Sequence, residues 1–237
     1  MNHLFANQKF RVATLIFVII IMGLSYNIFI TRSLPAFKLF IAGQTVAIDP
    51  GHGTIDKGAV HEETGVTESP INLAIALQLK ELLKKQNFNV VLTRDKETME
   101  NQTNTKDLQR RIDLAVKANA DILVSIHVNK FPEPQYFGAQ CFYNPRKPES
   151  KLLALLIQEE LKKLDSENIR EALPKDLFIL RESPMPAVLV EVGFLSNPRD
   201  RERLQDSTYQ KKIAQCIENG INRYFAGDSP TQTPKYN

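Results

Sequence analysis

Three polar side chains capable of chemistry stand where apolar runs end in this 237-residue chain. Residues 45–48 lead into Asp49-Pro50-Gly51-His52-Gly53, residues 122–126 into His127, and residues 187–190 into Glu191. Such runs read as buried strands, and the carboxyl ends of strands in open α/β sheets face the crevice where ligands bind. Two imidazoles and a carboxylate delivered there suggest a zinc hydrolase with one further ligand to be found. A lone histidine is usually structural. His52, however, is framed by glycines that let the backbone turn sharply. His127 stands at a strand exit, with Asn129 two residues on. Together they read as ligands.

The remaining ligand is open on spacing alone. Glu68 precedes Ser69-Pro70, which read as the N-cap and first residue of a helix. Its carboxylate either points into the cleft or simply favours the positive end of the helix dipole. Glu62 and Glu63 compete for the role. Glu191 interrupts Ala187-Val188-Leu189-Val190-Glu191-Val192-Gly193-Phe194, where an unpaired carboxylate is costly to bury. It reads either as a buried ion pair with Arg94 or Arg111, or as a general base whose pKa desolvation raises toward neutrality. The two arginines read as structural partners or as substrate anchors. His61 lies in a polar loop and His3 lies before the apolar amino-terminal segment, so neither is a good ligand. The segment 131–137 reads as a loop beside the cleft, shaping access or merely joining two strands.

Elements that alternate along the chain must position these groups. Strands are expected at 45–48, 89–93, 122–126, 139–143, 177–180 and 187–190, and helices at 70–86, 105–119, 149–164 and 207–225. In the first helix Ile71, Ile75, Leu79, Leu82 and Leu83 share one face. Continuously apolar strands require cover on both sides. The expected fold is a three-layer α/β/α sandwich around a mainly parallel sheet.

Residues 12–30 carry no charge and are long enough for a membrane span, which takes roughly 20 residues. Lys9 and Arg11 precede them, which favours a cytoplasmic amino end and an exported remainder. Thr31-Arg32-Ser33 is a poor cleavage site, so an uncleaved anchor is favoured over a cleaved signal peptide. The expected organisation is a cytoplasmic end (1–11), an anchor (12–30), a stem (31–43), a catalytic domain (44–226) and a disordered tail (227–237). The net charge of +3 and the absence of Lys/Arg blocks argue against nucleic acid. Cys141 and Cys216 read as two buried thiols, or as one bridge, but not as a nucleophile.

Asp49-Pro50-Gly51-His52-Gly53, Glu68 before Asn72-Leu73-Ala74, Ser125-Ile126-His127-Val128-Asn129 and Glu191-Val192-Gly193-Phe194-Leu195-Ser196-Asn197 resemble the motif set of the zinc-dependent N-acetylmuramoyl-L-alanine amidases, the amidase-3 group. The likeness covers about 44–225 in the right order. It implies a phosphorylase/hydrolase-like fold, Zn2+ held by His52, Glu68 and His127, and Glu191 as the catalytic carboxylate. The chain departs from the pattern at Thr54, where a second glycine is common, and at Val116, where asparagine is common; neither is a ligand position. No wall-binding repeat flanks the domain, and the segment after Asn129 is too short for an autoinhibitory helical insertion. A single anchor with a bare catalytic domain resembles the CwlD-type spore-cortex, germination-specific subgroup. That implies peptidoglycan glycan strands and stem peptides as substrate, with a polysaccharide deacetylase acting next to form muramic-δ-lactam. Two alternatives fit part of the pattern. One is a zinc carboxypeptidase-like peptidase using an arginine pair to anchor a free carboxylate. The other is a membrane-anchored wall-binding module without activity.

Overall fold

The computed structural model describes residues 18–19, 21–23, 43–53, 55–96 and 104–231. Most of the expected anchor and stem, Thr54 and residues 232–237 lie outside the described residues. The chain divides into two units, Met1–Ile41 and Ala42–Asn237. In the first, residues 18, 19 and 21–23 are helical and exposed. Among the described residues no helix is long and apolar enough to cross a membrane.

The second unit alternates strands and helices. Its strands are β1 (Thr45–Pro50), β2 (Val60–His61), β3 (Val66–Thr67), β4 (Asn89–Leu92), β5 (Ile122–Asn129), β6 (Gln140–Tyr143), β7 (Leu173–Pro174) and β8 (Ala187–Phe194). Its helices are α1 (Glu68–Lys85), α2 (Asn104–Lys117), α3 (Pro148–Leu164), α4 (Phe178–Glu182), α5 (Pro198–Gln205) and α6 (Ser207–Phe225). Six strands form one sheet in the order β4-β1-β5-β8-β6-β7. Every pairing in it is parallel except β6 with β8. A separate antiparallel hairpin pairs β2 with β3.

Both faces of the sheet are covered, as the apolar strands require. Ala47, Leu123, Ala187 and Leu189 form one core with Ile112 and Ala115 of α2 and Ile179 and Leu180 of α4. Side chains alternate along a strand, so Val46, Ile48, Val124, Val188 and Val190 point the other way. There α1 and α3 pack on the sheet, and α6 packs on both of them. This is the expected three-layer sandwich.

Several local expectations need correction. Residues 177–180 are not a strand, because Phe178–Glu182 turn into a helix whose Leu180 and Arg181 N–H groups bond to Leu177 O. A four-residue apolar run has no readable period, and packing decides its form. The edge beside β6 is taken by β7 instead. α1 starts at Glu68 with Thr67 as N-cap, so Pro70 sits third rather than first. Proline is still at no loss there, because the first four helical N–H groups have no intrahelical partner.

Candidate metal centre

Parallel pairing brings the ends of β1, β5 and β8 to one edge. His127 lies opposite Glu191 in register, and Gly51 N–H donates to Ile126 O at 2.9 Å. α1, entered through the β2–β3 hairpin, begins at the same edge with Glu68. His52, Glu68 and His127 each present one donor atom, and all three lie within 4.8 Å of one another. Glu62 and Glu63 are exposed in the hairpin turn and lie outside this cluster.

The cluster is tightly built. Glu68 Oε1 lies 3.0 Å from His127 Nδ1 and 3.3 Å from His52 Nε2. It also accepts from Val128 N–H at 2.9 Å and Asn72 Nδ2 at 3.1 Å, while Oε2 accepts from Ala59 N–H at 2.8 Å. The two imidazole rings meet edge to face, 5.0 Å between centroids. Two glycines make room. A Cβ on Gly51 would lie 2.2 Å from His127 Cε1, and one on Gly58 would lie 2.4 Å from Glu68 Oε2.

His52 has φ 63°, an uncommon conformation for a non-glycine residue and typical of functional sites. That turn takes backbone carbonyls away from the sheet ladder, and buried carbonyls need donors. Two guanidiniums supply them. Arg94 donates to Pro50 O and Gly51 O, both at 2.9 Å. Arg111 donates to Pro50 O at 2.8 Å and His52 O at 2.7 Å, and pairs with Asp49 at 2.9 Å and Asp107 at 2.6 Å. Asp49 also accepts from Thr93 Oγ1 at 2.5 Å and Ser125 Oγ at 2.6 Å. Burial opposes its charge, but Arg111 and these hydroxyls outweigh it and lower its pKa to about 2. Both arginines therefore build the loop, and the ion pair considered for Glu191 does not form.

Electrostatics distinguishes the carboxylates. Burial disfavours the charge of Glu68, yet hydrogen bonds from His127 and His52 hold its pKa far below the carboxylate range. Burial likewise disfavours a His52 cation, but Glu68 and Asp56 outweigh it and raise the pKa to about 9. The cluster thus draws positive charge. Glu191 behaves oppositely: desolvation pushes its pKa up, and its enclosed Oε2 has no hydrogen-bond partner among the described residues.

Three further side chains take part whose roles the sequence pattern does not assign. Asp56 Oδ2 lies 2.8 Å from His52 Nδ1, while Oδ1 accepts from Gly58 N–H at 3.1 Å. A carboxylate behind an imidazole fixes its tautomer and orientation. Asp-x-Gly in a turn was the available signal. Asn72 bridges Glu68 and Gly51 O (3.3 Å), readable as an i,i+4 pair on α1. Asp49 was seen only as part of a motif. Cys141 and Cys216 are both free, and burial raises both thiol pKa values, that of Cys216 to about 11, which leaves neither a nucleophile. A cavity of about 480 Å³ opens beside the cluster between the His52 loop, α2 and α4.

The family model for N-acetylmuramoyl-L-alanine amidase, Amidase_3, matches residues 46–223. The chain belongs to this family. The amidase is 32% identical over 225 residues to the germination-specific N-acetylmuramoyl-L-alanine amidase of Bacillus subtilis (strain 168), covering 90% of this chain and 94% of that one. It is also similar to the CwlD amidase from Clostridioides difficile, solved in complex with the GerS lipoprotein: 41% identity, TM-score 0.74, 78% of this chain and 100% of that one. The catalytic domain of CwlV from Bacillus (Paenibacillus) polymyxa var. colistinus aligns at 32% identity and TM-score 0.69, over 77% of this chain and 98% of that one. The amidase is thus a CwlD-type member, and its activity is hydrolysis of the N-acetylmuramoyl-L-alanine amide of peptidoglycan.

Proposed function

We propose that the amidase is a zinc enzyme in which His52, Glu68 and His127 hold the ion and Glu191 is the general base. One observation carries this: two imidazoles and a buried carboxylate converge within 4.8 Å, one strand away from a carboxylate whose pKa burial raises. The donor set suits a catalytic zinc site, which takes three protein ligands and keeps one position open. The glycines at 51 and 58 leave the donors room to converge, and Asp56 orients His52.

The ion, when bound, supplies Lewis acidity that activates water and polarises a carbonyl. Glu191 takes the proton of the attacking water as its oxygen bonds to the lactyl carbonyl carbon. As the C–N bond breaks, Glu191 returns that proton to the L-alanine nitrogen. Its desolvated carboxylate holds a proton more readily than an exposed one, which suits both transfers. His52 stays fixed through Asp56.

The carboxypeptidase-like alternative needs arginines that bind a substrate carboxylate, whereas Arg94 and Arg111 are engaged by backbone carbonyls and Asp49. Likeness over nearly the whole length of a germination-specific relative supports a role in cortex maturation, where peptide removal precedes deacetylation and muramic-δ-lactam formation. The uncharged segment 12–30 supports an uncleaved anchor with the catalytic domain outside the membrane, and the lipoprotein complex of a relative supports a protein partner there. Mass spectrometry of peptidoglycan incubated with the protein tests the reading. Free stem peptide should appear, vanish with chelator and return with zinc. Activity indifferent to chelation would refute the metal, and spores that lack the protein yet keep muramic-δ-lactam would refute the cortex role.

A further inference from the structure

Two aromatic rings on the rim have no task in the chemistry above. Beyond β5 the chain continues as Lys130-Phe131-Pro132-Glu133-Pro134-Gln135-Tyr136-Phe137. Phe131 is 47% and Tyr136 41% exposed, and their ring centroids lie 5.2 Å apart with planes tilted by 60°. Together they form a small contiguous apolar face on the surface.

The loop that carries them is pinned. Phe131 N–H donates to Ser196 Oγ at 3.2 Å, Asn197 Nδ2 to Pro134 O at 2.7 Å, and Lys130 Nζ to Val60 O at 2.6 Å. Phe131 also backs onto buried Phe194, 6.2 Å between centroids, whose ring lies 4.5 Å under the Arg170 guanidinium. Packing therefore fixes the rings while their outer faces stay open. Rings ordered in advance lose little freedom when they bind.

Their position relates them to the reaction. Phe131 lies four residues beyond His127, and Phe194 three beyond Glu191, at the same carboxyl edge of the sheet. The cavity beside the cluster is lined from the His52 loop, α2 and α4 and includes nothing from the 130–137 loop. A substrate at the centre thus meets two surfaces. The peptidoglycan amide also has two limbs, a slender polar peptide and a chain of pyranose rings. Pyranose rings carry C–H faces that stack on aromatic rings while their hydroxyls stay in water. The chain contains no tryptophan, so phenylalanine and tyrosine must supply any such stack.

We propose that Phe131 and Tyr136 form a glycan subsite that stacks an N-acetylated pyranose ring neighbouring the scissile muramic acid. This rests on the amidase reading and adds which limb of the substrate lies on which surface. The test uses the full chain, zinc-reconstituted, as wild type and as Phe131→Leu/Tyr136→Leu, which keeps apolar bulk in the loop. Two substrates are compared: polymeric peptidoglycan, and N-acetylmuramoyl-tripeptide without neighbouring sugars. Calorimetric titration with chitotetraose, an N-acetylglucosamine oligomer without peptide, reads glycan binding without hydrolysis. The double variant is expected to lose about tenfold in kcat/KM on the polymer, mainly through KM, several times more than on the minimal substrate. Its chitotetraose affinity falls by a similar factor, and Phe131→Trp binds the oligomer more tightly than wild type. Equal losses on the two substrates, or unchanged chitotetraose affinity in the double variant, would overturn the subsite. Wild type that releases peptide from neither substrate would overturn the hydrolase reading instead, and the titration would still decide the subsite.

Discussion

Replacing Glu191 by glutamine is expected to move activity and stability in opposite directions. Loss of a general base costs about 10²–10⁴-fold in rate, so peptide release should nearly cease. Stability should rise. Desolvation lifts the Glu191 pKa above its ordinary 4.5, so from about pH 4.5 up to the raised value the folded protein binds more protons than the unfolded one. Stability therefore falls as pH rises through that window, and the penalty persists above it. Glutamine carries no charge and removes the penalty. A buried oxygen without a partner costs about 1–3 kcal/mol. Glutamine remains polar, so we expect about 1 kcal/mol to be recovered, or about 2–4 °C in Tm for a domain of this size. The assay is thermal unfolding of chelated protein at about pH 7.5 and about pH 4, alongside peptide release by mass spectrometry. The gain should vanish at the lower pH and shrink when zinc is restored, because a nearby cation favours the carboxylate. A variant less stable than wild type at pH 7.5, or one with wild-type turnover, would refute the reasoning.

Gly51→Ala should push the His127 ring away, because the new Cβ would lie 2.2–2.6 Å from its atoms; zinc affinity measured against a competing chelator should drop sharply and Tm should fall, overpacking costing about 1–3 kcal/mol. Asp56→Ala frees His52 Nδ1 and should weaken zinc by about 10–100-fold while the fold persists in circular dichroism. Asp49 contributes stability above its ordinary pKa of 3.8 that is lost as pH falls through its folded value of about 2, about 2 kcal/mol in all. Asp49→Asn should therefore unfold earlier in urea at neutral pH and show a flatter acid limb; an unchanged limb would remove Asp49 from this role.

The sandwich was legible because β1, β5 and β8 are apolar on both faces and a polar side chain stands at each exit. Register could not be read from the chain, yet register sets His127 beside Glu191. Glu68 was ambiguous on spacing, since choosing it over Glu62 and Glu63 depends on how the β2–β3 hairpin folds back. α5 went unread although Asn197 and Pro198 supply an N-cap and a first-turn proline, with Asn197 Oδ1 accepting from Asp200 N–H at 3.0 Å. The short run at 177–180 was read as a strand because apolarity alone does not distinguish one helical turn from an edge strand. Asp56, Arg94 and Arg111 act through contacts 4 to 62 residues distant in sequence, and only the tertiary fold brings the arginines to the His52 loop.

Two guanidiniums, rather than the cation, hold the carbonyls of Pro50, Gly51 and His52. The socket is consequently self-supporting. A metal lost from such a socket is then replaced without remodelling it. Reactivation after stripping should be as fast as mixing, with no lag from backbone rearrangement.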